Sequence, residues 1–124
     1  MFSQSKAFSG FSVDDIQKAR EFYENILGLQ TESHMGMLSL KTSGNNDIIV
    51  YPKPNHQPAT FTVLNFPVDD IEKAVDELIA KGITFEQYHF GQLDTDEKGI
   101  AHGEPKIAWF KDQAGNILSV IQEK

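Results

Sequence analysis

The sequence of 124 residues contains no cysteine. This absence excludes a disulfide framework, a thiolate metal site and a cysteine nucleophile. The sequence also lacks an apolar run long enough to cross a membrane, a glycine-rich phosphate loop and the nucleophile turn of a serine hydrolase. No apolar signal-peptide stretch follows Met1, so we expect a cytoplasmic protein with no membrane partner.

Basic residues are also scarce, with 11 Lys and Arg against 18 Asp and Glu, which gives a formal net charge of −7. An acidic surface repels phosphate backbones, so we do not expect nucleic acid as a partner. The length suits one domain, and it is sufficient for a hydrophobic core without a disulfide or metal to hold it together.

One nine-residue segment occurs twice. Residues 11–19 read FSVDDIQKA and residues 66–74 read FPVDDIEKA, so seven of nine positions are identical at an offset of 55 residues. A period near half the chain predicts two copies of one supersecondary unit. Two such units can enclose a cleft, and small ligands usually bind in clefts.

The first copy is predicted as a βαβββ unit. Alternation over residues 7–13 indicates a strand. Asp14 then has the position of a helix N-cap, with Gln17 completing a capping box, and Gly28 ends the helix. Three short strands follow at about residues 31–34, 37–41 and 47–51, separated by Gly36 and by a turn at 43–46.

The second copy repeats this order. A strand is predicted at 60–66, Asp69 and Glu72 form the second capping box, and Gly82 ends the helix. Further strands are predicted at residues 83–88, 107–111 and 117–121. We therefore predict a single domain over 1–124, with a first module at 6–52, a proline-rich linker at 52–58 and a second module at 59–124.

The second copy is longer by 14 residues, and the excess lies in the polar segment 89–106. A long segment of this kind is either a functional lid or a disordered insertion. Its acidic residues Asp94, Asp96 and Glu97 are interpreted as a solvated surface. The repeated pairs Asp14-Asp15 and Asp69-Asp70 are interpreted as helix caps rather than catalytic carboxylates, because one cause then explains both copies.

Together with AREFYENILGL at 19–29 and AWFKDQAGNIL at 108–118, the two units resemble the vicinal oxygen chelate superfamily over essentially the whole chain. That superfamily includes glyoxalase I, extradiol dioxygenases, fosfomycin-resistance enzymes and bleomycin-resistance proteins. The resemblance implies an α+β fold in which two tandem βαβββ modules pair their sheets around a U-shaped cavity, with the helices outside. This fold hosts several chemistries as well as pure binding, so whether the chain is an enzyme stays open.

The resemblance also assigns faces to the strands. Phe11, Val13, Phe66 and Val68 would face the helices, whereas Phe8, Gly10, Val63 and Asn65 would face the cavity. The predicted lining of the ligand cavity is Phe8, Val50, Phe61, Val63, Asn65, Trp109 and Ser119. The alternative is that these side chains pack against each other and fill the space.

Metal-dependent members of the superfamily place one ligand on each of four strands. Carried over residue by residue, these positions are Phe8, Val50, Val63 and Ser119. Three of the four side chains have no ligating atom, and serine is a poor ligand for divalent metals. We therefore predict no metal site and no cofactor, with a divalent metal at a displaced site as the alternative.

Histidines are the remaining source of catalytic groups. His102 and Glu104 lie on the long segment and His56 on the linker, and these three would serve a displaced site. The other interpretation of them is as solvated loop residues, and His34 is interpreted as a strand-surface residue.

Three functions follow from these features. The first is metal-independent binding of a small organic molecule in an apolar, partly aromatic cavity, by the logic of bleomycin-resistance proteins. The second is a lyase, isomerase or dioxygenase-type enzyme with a displaced metal site or metal-free acid–base chemistry. The third is a dimerisation or regulatory module without a ligand. The resemblance also implies a homodimer, while the ligand's identity, and whether one chain or two form the cavity, stay open.

Overall fold

The computed structural model describes residues 1–43 and 46–123, and the chain forms two units, Met1–Pro58 and Ala59–Lys124. The division falls at the end of the proline-rich linker. Among the described residues, no helix has the length and apolar character that crossing a membrane requires. The predicted turn at 43–46 includes two residues that lie outside the described part of the chain.

The first unit contains one helix and a four-stranded sheet. Its elements are β1 (Gly10–Val13), α1 (Ile16–Glu21), a π-helical turn (Phe22–Ile26), β2 (Gln30–His34), β3 (Met37–Lys41) and β4 (Ile48–Pro52). The strand order is β1-β4-β3-β2. The β1–β4 pair is parallel and the other two pairs are antiparallel.

The second unit repeats this topology. Its elements are β5 (Thr62–Pro67), α2 (Ile71–Ala80), β6 (His89–Phe90), β7 (Leu93–Asp94), β8 (Ile100–Ala101), β9 (Lys106–Lys111) and β10 (Ile117–Gln122). The sheet order is β5-β10-β9-β8, with β6 and β7 as a separate ribbon. The prediction of an α+β fold with tandem βαβββ modules is therefore confirmed.

One face of the first sheet forms a buried core with the helix. Phe11 and Val13 on β1 are buried, and the Phe11 ring lies 6.2 Å from that of Tyr23 in the π-helical turn. Val50 is fully buried, and its register partners are Phe11 on β1 and Leu38 on β3. Register partners in neighbouring strands point to the same face, so Val50 faces the helix. This corrects the expectation that Val50 lines a ligand site.

The helix caps differ from the prediction by one residue. Asp15, not Asp14, is the N-cap of α1, and its Oδ1 accepts from the backbone N–H groups of Gln17 (3.0 Å) and Lys18 (3.1 Å). Asp70, not Asp69, caps α2. The second aspartate of each pair keeps an extended backbone, so each helix begins at the following isoleucine. The predicted capping boxes start one residue too early for the same reason.

The two aspartates therefore differ in their expected contribution to stability. Replacing Asp15 with alanine is expected to lower the free energy of unfolding by about 1 kcal/mol, because two N–H groups of the first turn lose their acceptor. Asp14→Ala is the matched control and should change it by less than about 0.5 kcal/mol. Urea unfolding followed by circular dichroism measures both, and a larger effect for Asp14→Ala would contradict this cap assignment.

The predicted strand at 83–88 does not form. The backbone N–H of Glu86 donates to the carbonyl of Trp109 (2.8 Å), but that of Tyr88 turns to the Thr95 hydroxyl (3.0 Å). The fourth strand of this sheet is instead β8, inside the long segment. Residues 89–106 thus contain a short ribbon and an edge strand, which contradicts a disordered insertion, one of the two alternatives for this segment.

Candidate functional site

Each sheet has a face opposite its helix, which we call its open face. On the open face of the second sheet, Asn65 on β5, Ser119 on β10 and Trp109 on β9 are register partners in one row. The next residue along β9, Phe110, is fully buried on the helix side. Strand alternation therefore brings three of the predicted ligand-site residues together.

Asn65 and Ser119 form a polar pair in this row. The Ser119 hydroxyl donates to Oδ1 of Asn65 over 2.5 Å. Ser119 is fully buried, whereas Asn65 is exposed. The buried hydroxyl thus has its partner, and the exposed amide presents its remaining hydrogen-bonding atoms to the surroundings.

Aromatic side chains continue the row beyond Trp109. The Tyr88 ring packs against the indole of Trp109 edge to face, with centroids 5.4 Å apart, and Phe90 packs against Tyr88 at 6.0 Å. We call Trp109, Tyr88 and Phe90 the aromatic row. Trp109 and Tyr88 are half-buried and Phe90 is 66% exposed. Sequence reasoning missed Tyr88 and Phe90 as site residues, although their i, i+2 spacing was a signal for a shared face.

The other predicted lining residues, Val63 and Phe61 in this unit and Phe8 in the first unit, lie outside the row of Asn65, Ser119 and Trp109. Val63 lies two residues before Asn65 on β5 and is half-buried, next to a register irregularity at Ile117 and Leu118. Phe61 precedes β5 with 68% of its surface exposed, and Phe8 precedes β1 with 67% exposed. Both phenylalanines therefore lie outside the strands on which the site was predicted.

The first unit has a pocket of its own. Its volume is about 480 Å³, and its lining is Lys6, Phe8, Asn46, Asp47 and Ile49. Ile49 is the residue next to Val50 and points to the open face. Asp47 pairs with the Lys41 ammonium at 2.5 Å, and the hydrogen bonds that this ammonium donates to Asp47 and Glu32 raise the pKa of Lys41. Asp47 is thus already paired.

Each histidine with a described side-chain contact pairs within its own unit. His56 Nδ1 lies 2.7 Å from the Ser12 hydroxyl, His102 Nε2 2.7 Å from Asp96, and His89 Nδ1 2.6 Å from Asp94. Among the described contacts of the second unit, none joins His102 to Glu104. Across residues 1–43 and 46–123, no three His, Asp or Glu side chains lie close enough together to hold a metal ion.

Asp96 organises the long segment. Its carboxylate accepts from the backbone N–H groups of Lys98 (2.9 Å) and Ile100 (3.0 Å) as well as from His102. Partial burial would raise the pKa of Asp96, but these hydrogen bonds outweigh burial and hold the pKa below the usual 3.8. Lys98 also pairs with Asp76 of α2 at 2.8 Å. These contacts hold residues 96–102, which follow Tyr88 and Phe90 in the sequence, in a defined conformation.

The pKa of Asp96 gives this segment a defined acid sensitivity. Because the pKa is lowered on folding, the carboxylate contributes its full stabilisation above pH 3.8. That contribution is lost as the pH falls further through the folded-state value. We expect the amide resonances of Lys98 and Ile100 to titrate with a midpoint below 3.8 in proton–nitrogen NMR spectra. His102→Ala should move the midpoint upward, and a wild-type midpoint above 3.8 would contradict these contacts.

The sequence profile of the Glyoxalase/Bleomycin resistance protein/Dioxygenase superfamily matches residues 8–120 of this chain. The chain belongs to this superfamily. No curated protein matches the chain significantly.

Solved structures agree with this assignment at the level of the fold. A protein assigned to the glyoxalase family from Bacillus anthracis is 22% identical, with a TM-score of 0.73 and full coverage of both chains. TnmS3, an antibiotic binding protein from Streptomyces sp. CB03234, is 18% identical, covers 94% of this chain and 93% of its own, and has a TM-score of 0.68. FosX, a fosfomycin resistance protein from Listeria monocytogenes, is 14% identical, covers 95% and 92%, and has a TM-score of 0.70.

The superfamily's usual metal positions do not fit a metal in this chain. Phe8, Val50 and Val63 offer only hydrocarbon, and Val50 is enclosed on the helix side of its sheet. The Ser119 hydroxyl, a poor ligand for divalent cations, is engaged by Asn65. What this superfamily member does present is an aromatic surface beside a fixed amide, an arrangement that can stack a flat ring and hydrogen-bond to its edge.

Proposed function

We propose that this chain binds a flat organic molecule on the open face of its second sheet, without a metal ion. The observation that carries the proposal is the edge-to-face pair of Trp109 and Tyr88 beside the Asn65–Ser119 pair. Binding sites for small molecules are typically apolar and aromatic, with a few polar groups that fix the orientation of the ligand. The aromatic pair and the polar pair adjoin each other, because Trp109 and Ser119 are register partners on neighbouring strands.

The two aromatic side chains favour a ring over an aliphatic ligand. Aromatic pairs gain about 0.5–1.5 kcal/mol beyond the burial of their area when they stack with an offset or meet edge to face. Trp109 and Tyr88 are only half-buried, so their rings keep surface for such a contact. The formal net charge of −7 disfavours anionic ligands at long range. A neutral or cationic ring therefore suits this face best.

A structural neighbour supports a binding role. TnmS3 is an antibiotic binding protein, and its fold resembles this one with a TM-score of 0.68. At 18% identity the ligand of TnmS3 does not transfer to this chain, because side chains rather than the fold determine the ligand. Sequestration of an organic compound is nevertheless a function that this fold supports.

Trp109 makes the proposal directly testable, because it is the only tryptophan in the chain. Its fluorescence should be recorded during titration with flat aromatic compounds and with aliphatic compounds of equal size and hydrophobicity. We expect saturable quenching by flat compounds alone, and recovery of each compound unchanged after incubation. Equal responses to both sets, no response at all, or conversion of the compound to a product would contradict the proposal.

We also propose that the chain forms a homodimer. Phe8 of the first unit and Phe61 of the second expose about two thirds of their surface in the single chain. Contiguous apolar patches are typical of surfaces that pair with another protein, and a homodimer interface that covered these rings would remove them from water. Sedimentation velocity at micromolar concentration should give the mass of two chains, and a monomer of 13.9 kDa would contradict the proposal.

A further inference from the structure

The side-chain amide of Asn65 has one defined orientation. Its contact with the Ser119 hydroxyl measures 2.5 Å. The Ser119 hydroxyl donates in this contact, and because its proton is buried it requires an acceptor, which only the oxygen of the amide can be. The amide oxygen therefore faces Ser119, and the Nδ2 group points away from it. No described residue accepts a hydrogen bond from Nδ2.

Ser119 keeps the amide in this orientation. The hydroxyl is fully buried in the row between Asn65 and Trp109 and has the amide oxygen as its acceptor. Rotating the amide by 180° would make the hydroxyl accept from an N–H group instead of donating, and its buried proton would lose its acceptor. Asn65, although exposed, therefore acts as a fixed hydrogen-bond donor.

The position of this donor relative to Trp109 sets the length of a ligand that can use both. Neighbouring strands lie about 4.8 Å apart, so Asn65 on β5 and Trp109 on β9 are separated by about 10 Å across β10. The carbonyl of Trp109 points away from β10, to the N–H of Glu86. Trp109 and Ser119 are thus a non-hydrogen-bonded pair, the type in which facing side chains lie closest. Two or three fused rings bridge this distance.

We propose that this face selects flat ligands of two or three fused rings that carry a hydrogen-bond acceptor, of the carbonyl type, on the ring edge. The inference rests on the function proposed above. A ring on Trp109 then places its acceptor oxygen at Nδ2 of Asn65. A ligand with a donor at the same position leaves two N–H groups facing each other, which costs both of them their hydrogen bonds to water.

Three tricyclic probes of nearly equal shape separate these cases. 9-Fluorenone carries a carbonyl oxygen, carbazole an N–H group and fluorene only a methylene group at the corresponding ring position. Titrations that follow Trp109 fluorescence should show 9-fluorenone binding about tenfold more tightly than carbazole and fluorene. Equal affinities for all three would overturn this inference and leave the proposed function intact. No binding of any probe would overturn both.

Variants of the polar pair test the mechanism of selection. Asn65→Leu should remove the preference for 9-fluorenone, and Asn65→Asp, an acceptor of similar size, should reverse it in favour of carbazole. Ser119→Ala should reduce the preference to about threefold or less, because the freed amide can rotate and present either atom. Circular dichroism confirms that each variant is folded, and Asn65, being exposed, tolerates substitution. An unchanged tenfold preference in a folded Asn65→Leu variant would overturn the inference.

Discussion

Replacing Phe110 with alanine is expected to lower the free energy of unfolding by about 3–5 kcal/mol. The Phe110 side chain is fully buried on the helix side of β9, and its ring packs edge to face against Phe85 at 5.4 Å. Truncation removes its burial and leaves a cavity between the sheet and its helix. For a chain of this size, such a loss corresponds to a melting temperature lower by roughly 10–20 °C.

The neighbouring residue provides the matched control. Trp109→Ala truncates a larger side chain one position earlier on the same strand, but on the open face, where the side chain is only half-buried. We expect it to cost less than half as much stability as Phe110→Ala. Urea unfolding measures both variants. A smaller loss for Phe110→Ala than for Trp109→Ala would show that the two faces of β9 are assigned incorrectly.

Replacing Trp109 with alanine is expected to weaken ligand binding by about 30–100-fold. Loss of the buried area and of the ring contact together removes about 2–3 kcal/mol of binding free energy, and each 1.4 kcal/mol is a factor of ten. Trp109→Phe keeps a ring at the position and should retain affinity to within about fivefold. Because both variants lack the fluorophore, isothermal titration calorimetry with 9-fluorenone is the suitable measurement.

Two outcomes would contradict this expectation. An affinity within threefold of the wild-type value for Trp109→Ala would place the ligand away from the aromatic row. An equally large loss for Phe110→Ala in its folded state would mean that affinity depends on the integrity of the sheet rather than on the ring of Trp109. The expected pattern is loss of affinity in one variant and loss of stability in the other.

The repeat made the architecture predictable from the sequence. Two copies of the V-D-D segment, each followed by a helical stripe and a terminating glycine, predict both helices and both opening strands. Gly28 and Gly82 do adopt positive φ angles of 72° and 98° at the ends of their helices. Such angles favour glycine for steric reasons, so the glycine alone was sufficient to predict where each helix ends.

Single-residue positions were less predictable. Either aspartate of a D-D pair can cap a helix, and the backbone angles and side-chain hydrogen bonds of the second aspartate show that it is the cap. For Val50, the sequence predicted the strand but not the register of that strand with its neighbours, and the register determines which face of the sheet the side chain is on. A shift of one residue moves a side chain to the opposite face of the sheet, which is why Ile49 rather than Val50 lines the pocket of the first unit.

The contact of Tyr88 with Trp109 could not be predicted from the sequence, because it joins parts of the chain that are distant in sequence. Tyr88 reaches Trp109 because residues 83–88 leave the sheet after one backbone hydrogen bond and turn to Thr95. The His102–Asp96 pair likewise forms only once the long segment has folded back on itself. The i, i+2 spacing of Tyr88 and Phe90 could place these two side chains on a shared face, but no local pattern of residue types encodes the contact of Tyr88 with Trp109 or that of His102 with Asp96.

The central claim is that Asn65, Ser119 and Trp109 on the second sheet, together with Tyr88 and Phe90 beside Trp109, bind the ligand. The most direct test is a proton–nitrogen NMR titration of the chain with 9-fluorenone, read at assigned resonances. We predict that the indole N–H of Trp109 and the side-chain amide of Asn65 shift most, while the backbone amides of Phe110 and Val50 shift little. Largest shifts around the first unit's pocket at Phe8 and Ile49, with Trp109 and Asn65 unchanged, would contradict the account.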